Sequence, residues 1–346
     1  MSWNLFSNKG ISSLTVVLYL VSLFFYSCSD GDYTDALPQG CIALAALPTG
    51  SICDGTVKGV DAEQSVYLFE TADGLFGILA AVSDGRMLKE SIKQEIATDA
   101  WVTEYNDDAV MVLGPVIAAE RETVRRRMVA MLKQDTEHSV KSTPLWQHFN
   151  EHNLGNKNLG YMVAQSNALP EQIVAFFTLG TPKGTDPADV LIEATMDIKG
   201  DTLMMQGYSC SYNTNVRQSL KRTEKIYRPL TINPYNWKDS AALAKVYMNV
   251  DGNNLTALIR NNKALNTALL GSDAFDIVRN NTANLQLTIM PDGNDEYNMK
   301  TVSIADSLKT TEDKVVIILN TKAVGKALKK VSFPLLKDYE YIVYRR

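Results

Sequence analysis

The sequence predicts an α+β fold, in which antiparallel sheets carry packed helices. Apolar strand segments that follow acidic turn residues, and glycine turns between pairs of such segments, support this fold class. Of the 346 residues, 45% are hydrophobic and 21% are charged, which is typical of a globular protein. The formal net charge of -5, without a basic stripe, argues against nucleic acid as a partner.

Residues 1–27 are predicted to be a signal peptide. Lys9 is the only charged side chain among them, and residues 11–27 form an uncharged run. A run of this kind is typical of a secretory signal and is slightly short for a spanning helix, which needs about 20 apolar residues. Cys28 directly follows the run.

The segment around Cys28 resembles a lipobox, the sequence at which bacterial lipoproteins receive a diacylglyceryl group. Phe25 and Tyr26 stand where the usual motif has leucine and a small residue, so the match is to the looser versions of Bacteroidetes-type bacteria. The resemblance implies lipidation at Cys28, followed by a lipidated tether over residues 28–36. The alternative is an uncleaved N-terminal anchor with a chance cysteine.

The residues after Cys28 favour the outer membrane as the location. Ser29, rather than aspartate, follows the lipid cysteine, which argues against inner-membrane retention. The acidic segment 29–32 also resembles a signal for export to the cell surface. We therefore expect a membrane partner bound through lipid, with the protein facing the periplasm or the cell surface, since several acyl chains hold a protein firmly at about 0.8 kcal/mol per buried methylene.

Similar segments recur in the same order at an offset near 204–208 residues, as in a tandem duplication. The matched pairs are 41–46 with 245–250, 74–85 with 284–293, and 106–113 with 312–319, and helices are predicted after the last pair at 116–134 and 321–331. This pattern predicts an N-terminal half over 37–238, which includes a middle hairpin, and a C-terminal half over 239–346.

Turn residues predict two hairpins. One turns at Ala72-Asp73-Gly74, and the middle hairpin joins residues 191–197 and 203–208 across Lys199-Gly200-Asp201. A last strand is expected at 341–344. The helix over 116–134 should bury one apolar side and leave its arginine triplet on a solvated face, with an anion or lipid-headgroup site as the alternative. Its predicted apolar side consists of Ile117, Val124, Met128, Met131 and Leu132.

The sharpest chemical motif is H-x-x-E-H at His148–His152. Histidines four apart share one face of a helix, so both imidazoles could bind one Zn²⁺ and Glu151 could activate a zinc-bound water as base. Glu224 is the candidate third ligand. In the competing interpretation, this segment is a helix that packs by its aromatic residues.

The opening residues 32–38, the middle hairpin and the repeated body resemble Bacteroidetes envelope lipoproteins of unknown function. The resemblance implies location and fold more than chemistry. We expect a non-enzymatic, lipid-anchored protein that binds or scaffolds an envelope protein or glycan, with no catalytic residues and no cofactor. The alternatives are a zinc-dependent hydrolase and a glycan- or lipid-binding surface module. A Cys41–Cys53 disulfide is also left open.

Overall fold

The computed structural model describes residues 32–48, 58–95, 100–152, 160–169, 174, 177–235, 242–261, 284–292, 296–303, 311–321 and 340–346. It confirms the α+β class, since helices accompany largely antiparallel pairing. The predicted signal, Cys28 and Cys53 lie outside the described residues. The chain divides into two compact units, Met1–Ala164 and Gln165–Arg346, called the N-terminal and C-terminal units below. This boundary differs from the predicted one between residues 238 and 239.

The N-terminal unit contains an antiparallel sheet in the order β6-β1-β2-β3-β5-β4. Its strands are β1 (Cys41–Pro48), β2 (Ser65–Thr71), β3 (Phe76–Ala81), β4 (Val102–Tyr105), β5 (Ala109–Gly114) and β6 (Gly160–Gln165). Its helices are α1 (Gly85–Glu95), α2 (Arg121–Met131) and α3 (Pro144–His152), with 3-10 helices at Tyr33–Ala36, Ala118–Glu120, Thr136–His138 and Val140–Ser142. Every residue of β3 and β5 is buried. Because successive strand side chains point to opposite faces, both faces of these strands are covered.

The predicted hairpin at Ala72-Asp73-Gly74 is present between β2 and β3. Gly74 has a φ of +82°, a conformation that favours glycine. Gly77 lies opposite Phe69, and its missing side chain leaves room for the Phe69 ring, which would otherwise be 2.1 Å from a Cβ. The glycine therefore allows a large aromatic side chain to lie flat within the core.

The amphipathic helix predicted over 116–134 is shorter in the structure. Val124, Met128, Met131 and Leu132 are buried, as predicted, but Ile117 is 63% exposed because it precedes the helical turns. The arginine triplet pairs with acidic groups inside the N-terminal unit, as expected of a solvated face rather than an anion site. The pairs are Arg125 with Glu104 and Glu122, Arg126 with Glu122, and Arg127 with Asp73.

The C-terminal unit has the strand order β12-β11-β10-β13-β14-β8-β7. Its strands are β7 (Val190–Lys199), β8 (Thr202–Ser211), β9 (Tyr227–Arg228), β10 (Ala244–Val250), β11 (Asn284–Asp292), β12 (Glu296–Ser303), β13 (Val315–Asn320) and β14 (Tyr341–Arg345). Its helices are α4 (Thr214–Glu224) and α5 (Gly252–Asn261), with 3-10 helices at Ser166–Ala168 and Pro187–Asp189. Strand β9 pairs with β10, and β14 runs parallel to β8.

The middle hairpin and the last strand are both confirmed. Strands β7 and β8 pair antiparallel across Gly200, whose φ is +61°. Strand β14 pairs with β13 on one side and with β8 on the other. A buried cluster fills this part of the unit and consists of Leu230, Ile232, Tyr247, Val316, Ile318 and Val343. The chain end is therefore part of the core of the C-terminal unit.

The structure does not confirm the tandem duplication, because strands that correspond in sequence have different neighbours. In the N-terminal unit β1 pairs with β2 and β6, and β3 pairs with β2 and β5. In the C-terminal unit β10 pairs directly with both β11 and β13. Most of the predicted helix over 321–331 lies outside the described residues. Among the described helices, none has the length and apolar character needed to cross a bilayer.

Candidate functional site

The helix α3 carries the H-x-x-E-H motif, and local sequence explains where it begins. Thr143 precedes the first turn: its hydroxyl accepts from Trp146 N at 3.3 Å and its carbonyl accepts from Gln147 N at 3.2 Å. Pro144 occupies the first helical position, where its missing N–H costs nothing. The helix ends at His152, two turns after its start.

One side of α3 packs by its apolar residues, as the aromatic-packing interpretation predicted. Leu145 and Phe149 are 2% and 1% exposed. The Phe149 ring lies 5.3 Å from the ring of Tyr161 and 6.1 Å from that of Tyr67, both on strands of the same unit. Trp146 stacks on Phe149 at 5.6 Å. Such aromatic contacts stabilise beyond the area they bury and fix the rotation of the helix.

His148 and His152 lie side by side on α3. Their ring centroids are 4.5 Å apart, and the ring planes are tilted by 39°. His148 is half-buried and His152 is exposed. The His152 Nδ1 atom is 2.9 Å from the carbonyl oxygen of His148. A carbonyl only accepts, so Nδ1 is the donor and Nε2 of the neutral ring carries the lone pair.

The other residues of the predicted zinc site have different surroundings. Glu151 is exposed on α3, one turn from His148. Glu224 lies at the end of α4 in the C-terminal unit, where its carboxylate pairs with Lys314 Nζ at 3.2 Å and with the Arg346 guanidinium. Two cations of the same unit therefore pair with this carboxylate, and the assignment of Glu224 as third ligand stays a prediction.

The first described residues form an element that the sequence did not reveal. Residues 32–38, called the N-terminal strap below, lie against the N-terminal unit. Backbone carbonyls of Asp35 and Leu37 accept from the Gln134 side chain at 2.7 and 2.9 Å. The Leu37 carbonyl also accepts from Val140 N at 2.9 Å, and the Tyr33 hydroxyl donates to the Ser65 carbonyl at 2.8 Å. The described part of the predicted tether over 28–36, which is residues 32–36, is therefore packed against the N-terminal unit.

Charge pairing fixes the start of the N-terminal strap. Lys141, whose side chain is only 11% exposed, pairs with Asp32 and, at 2.9 Å, with Asp35. Partial burial alone would raise the pKa of Asp32, but hydrogen bonds from Lys141 and Thr34 outweigh it and lower the pKa. Burial, together with the nearby Tyr67 and Asp32, raises the pKa of Tyr33. The strap is thus held by an ionised carboxylate and a neutral phenol.

A buried carboxylate on the middle hairpin was also missed. Glu193 on β7 is 2% exposed and hydrogen-bonds to Tyr208 and Cys210 on β8. Two causes raise the pKa of Tyr208 to about 12: burial, which is the larger, and the nearby Glu193 carboxylate. The same two causes raise the pKa of the Cys210 thiol. The sequence predicted the hairpin but not its residue-by-residue register. The register places Glu193 opposite Tyr208 and on the same face as Cys210, so it is the register that would have revealed the cluster.

The two cysteine thiols among the described residues have raised pKa values, which favour the protonated, unreactive form. Cys41 is buried and forms no disulfide with another described cysteine, and burial raises its pKa despite the nearby Arg127. Cys210 is only partly buried and forms no disulfide with another described cysteine. The proposed partner of Cys41, Cys53, lies outside the described residues. Neither described thiol has the environment of an activated nucleophile.

Comparison with known proteins gives no family. No family model matches the chain, and no curated protein matches it. Among solved structures, two crystal forms of a protein named TP0453 are similar. Form I is 10% identical with a TM-score of 0.32 and covers 60% of this chain and 90% of that one. Form III is 9% identical with a TM-score of 0.30 and covers 59% and 90%.

Proposed function

We propose that this chain is a non-enzymatic, lipid-anchored protein of the bacterial outer membrane, attached through Cys28. The observation that carries the proposal is the position of the N-terminal strap. Its first residue, Asp32, follows Cys28 by four positions. Four residues span at most about 14 Å, so a lipid on Cys28 would hold the N-terminal unit next to the bilayer.

The strap supports a role for this chain end as an attachment point. A pulling force on the lipid would be transmitted through Asp32 to Lys141 and through the Leu37 carbonyl to Val140. Leu37 itself is completely buried, which adds an apolar contact to these polar ones. The folded body therefore needs no membrane-binding surface of its own, since the acyl chains provide the affinity.

The chemistry of the described side chains favours binding or scaffolding over catalysis. Glu224 is neutralised by two cations within its unit. The thiols of Cys41 and Cys210 have raised pKa values because of burial. We propose that the body of the protein binds or scaffolds an envelope protein or a glycan, at the periplasmic or external side of the outer membrane.

Metabolic labelling with an alkyne-bearing palmitate analogue tests the anchor. We expect the parent and Cys210→Ala to incorporate label in a Gram-negative host and to remain with outer membranes after alkaline carbonate extraction. Cys28→Ala should lose the label and the membrane association. Cys210→Ala is a matched control because it removes a cysteine that lies far along the chain from the signal.

Mass spectrometry of the N-terminal peptide gives the second measurement. A peptide that begins at Cys28 and carries a diacylglyceryl group would support the proposal. A peptide that begins at Met1, or label that persists in Cys28→Ala, would show that the apolar segment is an uncleaved anchor or that the lipid lies elsewhere.

A further inference from the structure

We propose that His148 and His152 form a binding site for one divalent transition-metal ion, with Zn²⁺ as the representative ion. The inference is independent of the lipid anchor and goes beyond it. It rests on the arrangement of the two imidazoles on α3 and on the way α3 is fixed in the N-terminal unit.

The distance between the two rings suits a shared ion. A ring nitrogen of His148 and one of His152 lie within 4.8 Å of each other. Two nitrogens bound to one tetrahedral zinc at about 2.0–2.1 Å are roughly 3.4 Å apart. The remaining difference, about 1.4 Å at most, is within the reach of small side-chain rotations. The helical backbone need not move.

The hydrogen bond of His152 prepares that ring for coordination. Its Nδ1 donates to the carbonyl of His148 at 2.9 Å, which leaves Nε2 as the basic nitrogen. Metal-bound histidines generally donate their other ring N–H to a carbonyl or a carboxylate, which fixes the tautomer and the ring orientation. Here the same backbone carries both the hydrogen-bond acceptor and the second imidazole.

The packing of α3 preorganises the pair. Leu145 and Phe149 are buried against the sheet and lie on the helix face next to the histidines. The rotation of α3 about its axis is therefore set by its core contacts. Imidazole ligands suit Zn²⁺, Cu²⁺ and Ni²⁺ rather than Mg²⁺ or Ca²⁺. Two imidazoles supply two of the four ligands of a tetrahedral ion.

The third histidine supplies a matched control. His138 is exposed, and its Nδ1 lies 2.6 Å from Asp135 Oδ1. Asp135 raises the pKa of His138 above its ordinary value. His138 therefore reports what a single, exposed imidazole contributes to metal binding.

Isothermal titration calorimetry of the full chain with Zn²⁺ tests the site. We expect one equivalent to bind, with at least about a tenfold loss of affinity in His148→Gln and in His152→Ala, since even an outer partner of a metal ligand contributes this much. His138→Ala should bind like the parent. His152→Ala changes an exposed residue and His148→Gln keeps a polar group, so both variants should keep the parent's circular-dichroism spectrum.

Two results would overturn the proposal. One is the absence of Zn²⁺ binding to the parent at micromolar concentrations. The other is unchanged affinity in His148→Gln and His152→Ala, which would assign the ion to cysteines or to surface carboxylates. Neither result would affect the lipid anchor, which is measured by labelling at Cys28.

Discussion

The two ends of the described chain are both held by three-charge clusters, but in different settings. At the N-terminal end, one cation, Lys141, pairs with Asp32 and Asp35. At the C-terminal end, one anion, Glu224, pairs with Lys314 and Arg346. The first cluster holds a strap against an otherwise complete sheet, whereas the second closes a unit whose sheet includes the chain end as β14.

The contacts of the two ends indicate which end can detach without unfolding its unit. Strand β14 has hydrogen-bonded neighbours on both sides, and Ile342, Val343 and Tyr344 are all buried. The N-terminal strap has no strand neighbours on both sides; it is held by a few separate hydrogen bonds, from the Gln134 side chain and from Val140 N, and Asp32 is exposed at its start. We infer that the C-terminal end folds with its core, while the strap can open at its polar start and stay fixed at Leu37.

The largest expected effect comes from a charge in β14. Val343→Asp should abolish the folded C-terminal unit, because a carboxylate would replace a side chain that is 5% exposed in an apolar cluster. The expected loss exceeds about 4 kcal/mol in the free energy of unfolding. Urea unfolding followed by circular dichroism measures it. Arg345→Gln, at the half-buried end of the same strand, should cost less than about 1 kcal/mol, and a folded Val343→Asp protein would contradict the role given to β14.

A second, smaller effect locates the fixed point of the strap. Leu37→Ala should destabilise the N-terminal unit by about 3 kcal/mol, because it leaves a cavity at a completely buried position. Thermal unfolding measures the change. Gln39→Ala, which removes only an exposed hydrogen bond to Ser142, should change stability by less than about 0.5 kcal/mol. If the two variants behave alike, the strap has no apolar fixed point and the whole segment is a weakly held tether.

Sequence reasoning predicted what depends on near neighbours. The hairpins at Gly74 and Gly200 were predicted because each turn needs a positive φ that glycine supplies locally. The pairing of His148 with His152 follows from the helical spacing alone. Ile117 was misplaced because the apolar period of a helix does not fix the residue at which the helix begins.

Contacts between distant residues could not be predicted in this way. Lys141 pairs with Asp32, which lies 109 positions away in the sequence. No local pattern indicates this pairing, so the acidic residues after Cys28 were predicted to be part of a tether. Lys314 pairs with Glu224, which lies 90 positions away in the sequence. Because this pairing leaves no local pattern, Glu224 was chosen as a candidate zinc ligand. The partners of an isolated charge depend on the tertiary fold, which one sequence does not encode in any local pattern.

The smallest expected effect is a pH dependence confined to the polar start of the strap. The pKa of Asp32 is lowered in the folded protein from its ordinary value of 3.8, so its pairing with Lys141 is complete above that value. The contribution is lost as the pH falls through the lowered pKa, because the protonated carboxyl no longer attracts the ammonium group. Since Asp32 is largely exposed and screened by solvent, the effect should be a local opening rather than unfolding.

Pepsin digestion between pH 2 and pH 5, with mass mapping of the first cleavage, measures this opening. We expect cleavage near Tyr33 to begin below about pH 4 in the parent. Asp32→Asn removes the titrating group, so its cleavage near Tyr33 should no longer show this step. Cleavage in the body at the same pH as cleavage near Tyr33 would mean that the strap and the N-terminal unit open together, and that the two chain ends differ less than their contacts indicate.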